Sequence, residues 1–240
     1  MYSAGLTHRG VVRKNNEDSI FSDDKLGLFI VADGIGGEEA GEIASSTAVR
    51  IIADHMKDNI SADIFPSVDI LKEAFFAANH AIYSEGKADI KKNGMGTTMT
   101  AALVDENHIY LVHVGDSRAY FCHQDSFKCL TNDHSLAGEL VRDGSITQEE
   151  AAHHPQKNIL TRALGHEPLV QVDDIEIQWQ HGDYLLLCSD GLYNLLENKE
   201  LEEIILDDKT NLPEKAQIFI DMALQRGGYD NISVVLVCNN

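Results

Sequence analysis

The chain has 240 residues, 43% of them hydrophobic, and 39 acidic against 19 basic residues give it a formal net charge of −20. Such a surface repels the nucleic-acid backbone and anionic lipid, so a general nucleic-acid binder or a membrane-adsorbed protein is not expected. With four prolines and no Gly/Ser-rich linker, residues 1–240 read as a single domain with a substantial core.

The N-terminus, "MYSAGLTHRGVVRKNNEDS", lacks the basic-then-apolar pattern of a signal peptide, and no run of eighteen apolar residues follows. No membrane insertion and a cytoplasmic address are therefore expected. Cys122, Cys129, Cys188 and Cys238 have no CxxC spacing and read as reduced apolar fillers.

In chain order, residues 2–12 and 19–32 hold short apolar strands broken by "RKNNED" and "SDDKLG". The period then changes. Ala40, Ile43, Ala44, Thr47, Ala48, Ile51 and Ile52 recur at helical spacing within "EEAGEIASSTAVRIIADHMKDN". A second helix is expected over "SVDILKEAFFAANHAIYSEG", with Pro66 just before it and Leu71, Ala74, Phe75, Ala78 and Ile82 as its stripe. After "KKNGMG" come the strands "TTMTAALVD", "HIYLVHVG", "SRAYFCH" and "FKCL", whose turn residues favour an antiparallel meander. The polar stretch "SLAGELVRDGSITQEEAAHHPQKNILTRALG" reads as an excursion with two short helices. "QVDDIEIQW", "DYLLLCSDG" and "NISVVLVCN" are further strands. Helices are expected near "LYNLLEN", "KELEEIILD" and "LPEKAQIFIDMALQRGG". This order lacks the strand–helix alternation of a dinucleotide-binding domain. It suits an α+β fold with two central antiparallel sheets flanked by helices, a four-layer α-β-β-α sandwich.

The segment "GLFIVADGIGGEEAG" supplies Gly34, Gly36, Gly37 and Gly41, a GxGGxxxG pattern rather than GxGxxG or a Walker loop. Asp33, Glu38, Glu39 and Glu42 crowd the same turn, which disfavours bare phosphate there. The glycines are read as letting the backbone turn tightly beyond the strand. "LLLCSD" and "VHVGD" place Asp190 and Asp116 likewise where an apolar strand meets a polar rim. Asp230 precedes the last strand, and Glu17 and Asp18 lie near the N-terminus. Singly, each is a turn residue or a helix cap. Together they repel one another unless a hard divalent cation with oxygen ligands intervenes. Arg13, four and five residues before Glu17 and Asp18, adds a guanidinium able to grip two phosphate oxygens, or else a surface ion pair. Carboxylate-held metal beside an anion clamp suits phosphoester hydrolysis.

The segments "GVVRKNNED", "VADGIGGEEAG", "GTTMTAAL", "VGDSRAY", "LTNDHSLAGELVRDGSI", "NILTRALG", "LLCSDGL" and "GGYDNISVVLV" occur in this order across almost the whole chain. In this the sequence resembles the metal-dependent protein phosphatases, the PP2C-like serine/threonine phosphatases, and above all their compact bacterial members. The resemblance implies two core Mn²⁺ or Mg²⁺ ions at one sandwich edge and a third, weaker one. It makes Asp33 the bridging ligand, Gly34 a carbonyl ligand, and Asp190 and Asp230 the other carboxylates of the centre. Asp116 would hold the third ion with Asp190, and Glu17 and Asp18 would orient metal-bound water. Arg13 would bind phosphate, and residues 132–160 would form a flap beside the site.

The implied reaction is hydrolysis of phosphoserine and phosphothreonine in proteins by direct attack of a metal-bridging water. Asp33, Arg13, Asp190 and Asp230 are its catalytic set. Animal relatives carry a histidine two residues after the bridging aspartate, where this chain has Ile35. His134 and Tyr229 read as supporting residues. The implied partners are phosphorylated proteins, a bacterial serine/threonine kinase whose action is opposed, and that kinase's substrates. The protein itself is expected to be a monomer. A noncatalytic phosphoprotein-binding module would have lost the metal aspartates, but Asp33, Asp190 and Asp230 are all present.

Overall fold

The computed structural model describes residues 1–36, 40–60, 67–123 and 126–239. Gly37, Glu38, Glu39 and Pro66, singled out in the sequence, lie outside them. Two antiparallel sheets form the centre. One runs in the order β1 (Tyr2–His8), β11 (Ile232–Cys238), β10 (Tyr184–Cys188), β7 (Arg118–His123), β8 (Ser126–Cys129). The other runs β2 (Asp18–Asp23), β3 (Leu28–Ile35), β5 (Met99–Val104), β6 (His108–Val114), β9 (Asp173–Gln178), and the short β4 (Gly96–Thr97) pairs with β3.

The central strands are apolar at nearly every position because both of their faces are covered. In β3, Leu28, Ile30 and Ala32 point to one side and pack with the helices α1 (Ala40–Asn59) and α2 (Val68–Ala88). Phe29 and Val31 point to the other side, into the layer between the sheets. β11 divides the same way, with Val235 and Val237 between the sheets. Ile232, Val234 and Leu236 face α5 (Asp190–Tyr193), α6 (Asn198–Ile205) and α7 (Leu212–Gln225). The period-2 geometry of a strand turns one continuous apolar run into two packed faces. Fully burying one such Val or Leu contributes about 1.5–3 kcal/mol. The helix starts follow capping chemistry. Ser67 accepts the Ile70 N–H, and Asn211 forms a reciprocal box with Glu214 at the start of α7. The four-layer α+β sandwich expected from the sequence is the fold observed.

One expectation is corrected. β5 and β6 pair as a hairpin in one sheet, whereas β7 and β8 pair in the other. The meander therefore breaks at residues 115–117, where the chain crosses between sheets. Gly115 has φ +105, a backbone region that disfavours any side chain. Strand periodicity reports two buried faces but not which sheet supplies the neighbours, so the crossing leaves no mark in it.

Between β8 and β9 the chain leaves the sheets and forms α3 (Leu136–Arg142) and α4 (Gln148–Ala152), capped by Ser135 and Thr147. The two ends of this excursion are tied together. Leu136 N–H donates to the Ile159 carbonyl (2.8 Å) and Thr161 N–H to that of His134 (2.8 Å). Among the described residues no helix is long and apolar enough to cross a membrane.

Candidate active site

Antiparallel pairing of β2 with β3 sets Asp18 opposite Asp33. The Asp33 backbone is fixed by the neighbouring threonines. Its N–H donates to Thr98 Oγ1 (3.0 Å), and its carbonyl accepts the Thr98 N–H (2.9 Å) and the Thr97 hydroxyl (2.9 Å). The Thr98 hydroxyl also meets that of Ser117 at 2.7 Å, which joins Asp33 to the sheet-crossing corner.

Gly34 does not turn the chain. It remains in β3, paired with Thr97, and its N–H donates to the Glu17 carbonyl (3.1 Å). A Cβ there would overlap the carbonyl oxygens of Gly41 and Glu17. Glycine is needed because α1 begins hard against this strand, which replaces the expectation of a tight turn directly after Asp33.

Asp190 opens α5, one residue after β10 passes Ser189. Its Oδ2 accepts from Asn194 Nδ2 (3.2 Å), while its Oδ1 is buried without a hydrogen-bond partner. Asp18 is 6% exposed; its Oδ2 accepts the Ser189 hydroxyl (2.8 Å) and its Oδ1 is likewise buried and unpartnered. Asp230 accepts Arg13 Nη2 on Oδ2 (2.8 Å) and the Asn231 N–H on Oδ1 (2.8 Å). Asp116 sits at the corner between the sheets, its carbonyl held by the Tyr193 hydroxyl (3.0 Å). The Tyr193 ring in turn carries the Arg118 guanidinium at 3.7 Å, and Arg118 grips Asp133 bidentately at 2.9 and 2.7 Å.

The fold thus brings Arg13, Glu17, Asp33, Gly34, Asp116, Asp190 and Asp230 onto one cleft of about 340 Å³, with Asn158 and Leu160 of the excursion on its far bank. Asp18 stands just behind. His134 lies in the wall rather than the cleft. It is buried, and its Nδ1 accepts the Gly115 N–H (3.1 Å), which braces the corner that carries Asp116. Tyr229 is 65% exposed, with its ring beside Gly227.

Sequence reasoning passed over Asn231, Thr98, Ser117 and Ser189. Asn231 is the hub of the Arg13 loop: its Oδ1 accepts the Glu17 N–H (2.8 Å), and its Nδ2 donates to the carbonyls of Arg9 and Asn15 (2.9 Å each). An Asn between a carboxylate and an apolar strand was the available signal.

The electrostatics follow from packing anions together out of water. Burial, then the neighbouring carboxylates, holds Asp33 and Asp190 well above the usual carboxylate range. Burial raises Asp18 to about 6 despite the Ser189 hydrogen bond, and burial with the Asp133 charge raises Asp116 to about 7. Burial raises Glu17 also, with Arg13 pulling the other way. For Arg13, burial alone would lower the pKa, but Asp230 reverses that and raises it. Positive charge supplied to the cleft would ease the ionisation of these buried carboxylates. Among the described residues no three Asp, Glu, His or Cys side chains converge as a ready-made cage for an ion. The donors present are single carboxylates, a backbone carbonyl and room for water, the oxygen set of Mg²⁺ or Mn²⁺ rather than of zinc.

The family profile described as Protein phosphatase 2C matches residues 5–225. The chain is 43% identical over 244 residues to "Serine/threonine phosphatase stp" of Listeria innocua serovar 6a, covering 100% of this chain and 96% of that one. Its structure resembles that of the Mycobacterium tuberculosis serine/threonine phosphatase PstP/Ppp at a TM-score of 0.89 and 36% identity, over 98% of this chain and 97% of that one. It also resembles the catalytic domain of PstP in complex with two manganese ions, at a TM-score of 0.87 and 35% identity, over 98% of this chain and 96% of that one. With its fold shared and nearly its whole length matched, the chain belongs to the protein phosphatase 2C family.

Proposed function

We propose that this protein is a Mn²⁺- or Mg²⁺-dependent phosphatase that hydrolyses phosphoserine and phosphothreonine in proteins. The observation that carries the reading is that Asp33, Asp190, Asp230 and Asp116 line one cleft beside Arg13, with a buried oxygen of Asp190 and one of Asp18 left unpartnered. Orphaned buried carboxylate oxygens are costly, and a divalent cation or its water satisfies them. Asp33, the Gly34 carbonyl, Asp190 and Asp230 would hold the two core ions, and Asp116 with Asp190 a third. When bound, the ions supply an activated water and neutralise charge at phosphorus during an in-line displacement.

The chain's own residues do the rest. Thr97 and Thr98 lock the Asp33 backbone, so its carboxylate is presented without reorganisation. Asp18, held by Ser189, and Glu17, whose N–H is tied to Asn231, orient water on the β2 side. Arg13 stands half exposed at the rim with Nη2 on Asp230, and a cation on Asp230 would leave the guanidinium to a substrate phosphate. The cysteines take no part: Cys122, Cys188 and Cys238 are buried, Cys129 is half-buried, and burial raises all four thiols, Cys122 to about 11. A thiolate nucleophile is thereby disfavoured. In this reading the protein opposes a bacterial serine/threonine kinase by removing phosphate from that kinase's substrates in signalling.

The test is phosphate release from phosphothreonine peptides with Mn²⁺, with Mg²⁺ and with EDTA. Release with metal and none with EDTA supports the reading, and no release under any condition refutes it.

A further inference from the structure

The cleft carries a histidine that neither the metal centre nor the phosphate clamp uses. His166 lines it together with Asp33, Ile35 and Thr98. The register of β3 with β5 and β4 says where its ring lies. Leu28 pairs with Leu103 and Ile35 with Gly96 without a slip between them. Ile35 therefore presents its side chain on the same face of the sheet as Asp33, and a side chain at residue 96 would stand on that face beside it. Gly96 leaves the place open. A Cβ there would lie 2.6 Å from both Cδ2 and Nε2 of His166 and 2.7 Å from the Leu164 carbonyl oxygen. The imidazole thus fills the position of the missing side chain, on the side of the sheet that carries the Asp33 carboxylate.

The ring is also held there. Thr97 N–H donates to the Leu164 carbonyl (3.0 Å) and Leu164 N–H to that of Thr97 (2.9 Å), which fastens the segment before His166 to β4. Gly165 then turns the chain at φ +87, and its N–H donates to Asn79 Oδ1 of α2 (2.8 Å). The Gly94 carbonyl accepts from the imidazole itself. A ring held through one nitrogen offers the other to a ligand.

Hydrolysis of a phosphoserine or phosphothreonine ester expels an alkoxide, a strong base, so the leaving oxygen needs a proton as its bond to phosphorus breaks. Among the described residues that line the cleft, the other titratable groups are Arg13, Glu17, Asp33, Asp116, Asp190 and Asp230. A guanidinium keeps its proton, and carboxylates that hold cations are ionised. Resting on the phosphatase reading, we propose that His166 is the general acid that protonates the seryl or threonyl oxygen as it leaves. The reach fits: Gly96 lies two residues along the strand from Thr98, which bonds the Asp33 backbone, a span of about 7 Å that leaves room for a cation and a phosphoryl group between carboxylate and ring. In the step, the oxygen of the attacking water bonds to phosphorus and the ester P–O bond breaks, its electron pair staying on the ester oxygen. That oxygen takes the proton from the imidazolium nitrogen facing the cleft. The attacking water releases a proton to solvent, and the neutral imidazole takes one back from solvent. Burial lowers the His166 pKa, which makes the ring a readier donor, while the Glu167 charge and the Gly94 carbonyl oppose that shift, as a bound phosphate dianion would.

The experiment compares a phosphothreonine peptide with p-nitrophenyl phosphate, with Mn²⁺, for wild type and His166→Gln, in single turnovers so that product release does not mask the chemical step. Nitrophenolate leaves without a proton, whereas the threonyl oxygen does not. Glutamine keeps a hydrogen-bond donor but cannot transfer a proton. The variant should lose about a hundredfold in saturating rate on the peptide, the low end of what a general acid supplies, and change less than about twofold on the aryl phosphate. Equal losses on both substrates would make His166 part of the cleft's shape, a weaker half-saturation for the peptide alone would make it a binding contact, and no loss would make it a bystander. Each of these overturns the proposal and leaves the phosphatase reading intact. No hydrolysis of the peptide by wild type overturns both.

Discussion

Replacing Asp18 by Asn should stabilise the metal-free protein, by an amount that grows with pH. Asp18 is buried and its carboxyl is raised from 3.8 to about 6, because burial and the nearby Asp230 charge disfavour the anion. The folded protein therefore keeps this proton to higher pH than the unfolded chain does. The contribution of the group to stability is largest below about pH 4 and is lost as pH climbs through 6. At about 1.36 kcal/mol per tenfold change, raising the carboxyl from 3.8 to about 6 costs the wild type roughly 3 kcal/mol above pH 7 and roughly 1 kcal/mol at pH 4.5. An amide is not ionised, so the variant escapes that cost and still offers an oxygen to the Ser189 hydroxyl. His113, lowered to about 4 by burial, and His134, also lowered, pull stability the opposite way with pH, but they are common to both proteins and cancel in the difference. Urea unfolding in EDTA at pH 4.5 and 7.5 gives the difference directly. At pH 7.5 the gain corresponds to about 6–12 °C in Tm. Saturating Mn²⁺ should abolish the gain, since the cation favours the ionised carboxylate. A variant less stable than wild type at pH 7.5 in EDTA, or a difference independent of pH, would refute the view that the cleft is strained by unneutralised charge.

Other outcomes are equally specific. Arg13→Ala should raise KM for phosphopeptides about tenfold or more, the worth of a charge-assisted hydrogen bond, and steady-state kinetics with an unchanged KM would remove Arg13 from the phosphate site. Gly34→Ala should lower stability by about 1–3 kcal/mol and most of the activity with it, because the new methyl overlaps two carbonyl oxygens; normal thermal melting would show that α1 can yield. Asp133→Ala leaves the Arg118 guanidinium without its bidentate partner and should cost about 3–5 kcal/mol in urea unfolding, far more than loss of an exposed pair such as Arg50–Asp54.

Much of this was legible in the sequence because each feature has a local physical cause. The switch from period 2 to period 3.6 after Asp33 marks where the sheet ends and α1 begins. The recurrence of aspartates at strand ends marks one rim, since strand ends in a sandwich gather at its edges. What stayed hidden depends on contacts far apart in the chain. Gly34 looked like a turn residue because Gly36 and Gly37 follow close behind it, yet the oxygens it avoids belong to Gly41 and Glu17. The crossing at Gly115 was invisible because β6 and β7 carry the same two-faced apolar signal while pairing in different sheets. Asn231 drew no notice at the start of the strand "NISVVLVCN", although its side chain spans more than 200 residues of sequence to fasten the Arg13 loop.

The central claim is that Asp33 organises a divalent metal centre. Equilibrium Mn²⁺ binding, with free Mn²⁺ followed by electron paramagnetic resonance, tests it on wild type and on Asp33→Ala. The account predicts at least two ions per wild-type chain and loss of the core ions in the variant, whereas an unchanged stoichiometry and affinity in Asp33→Ala would contradict it.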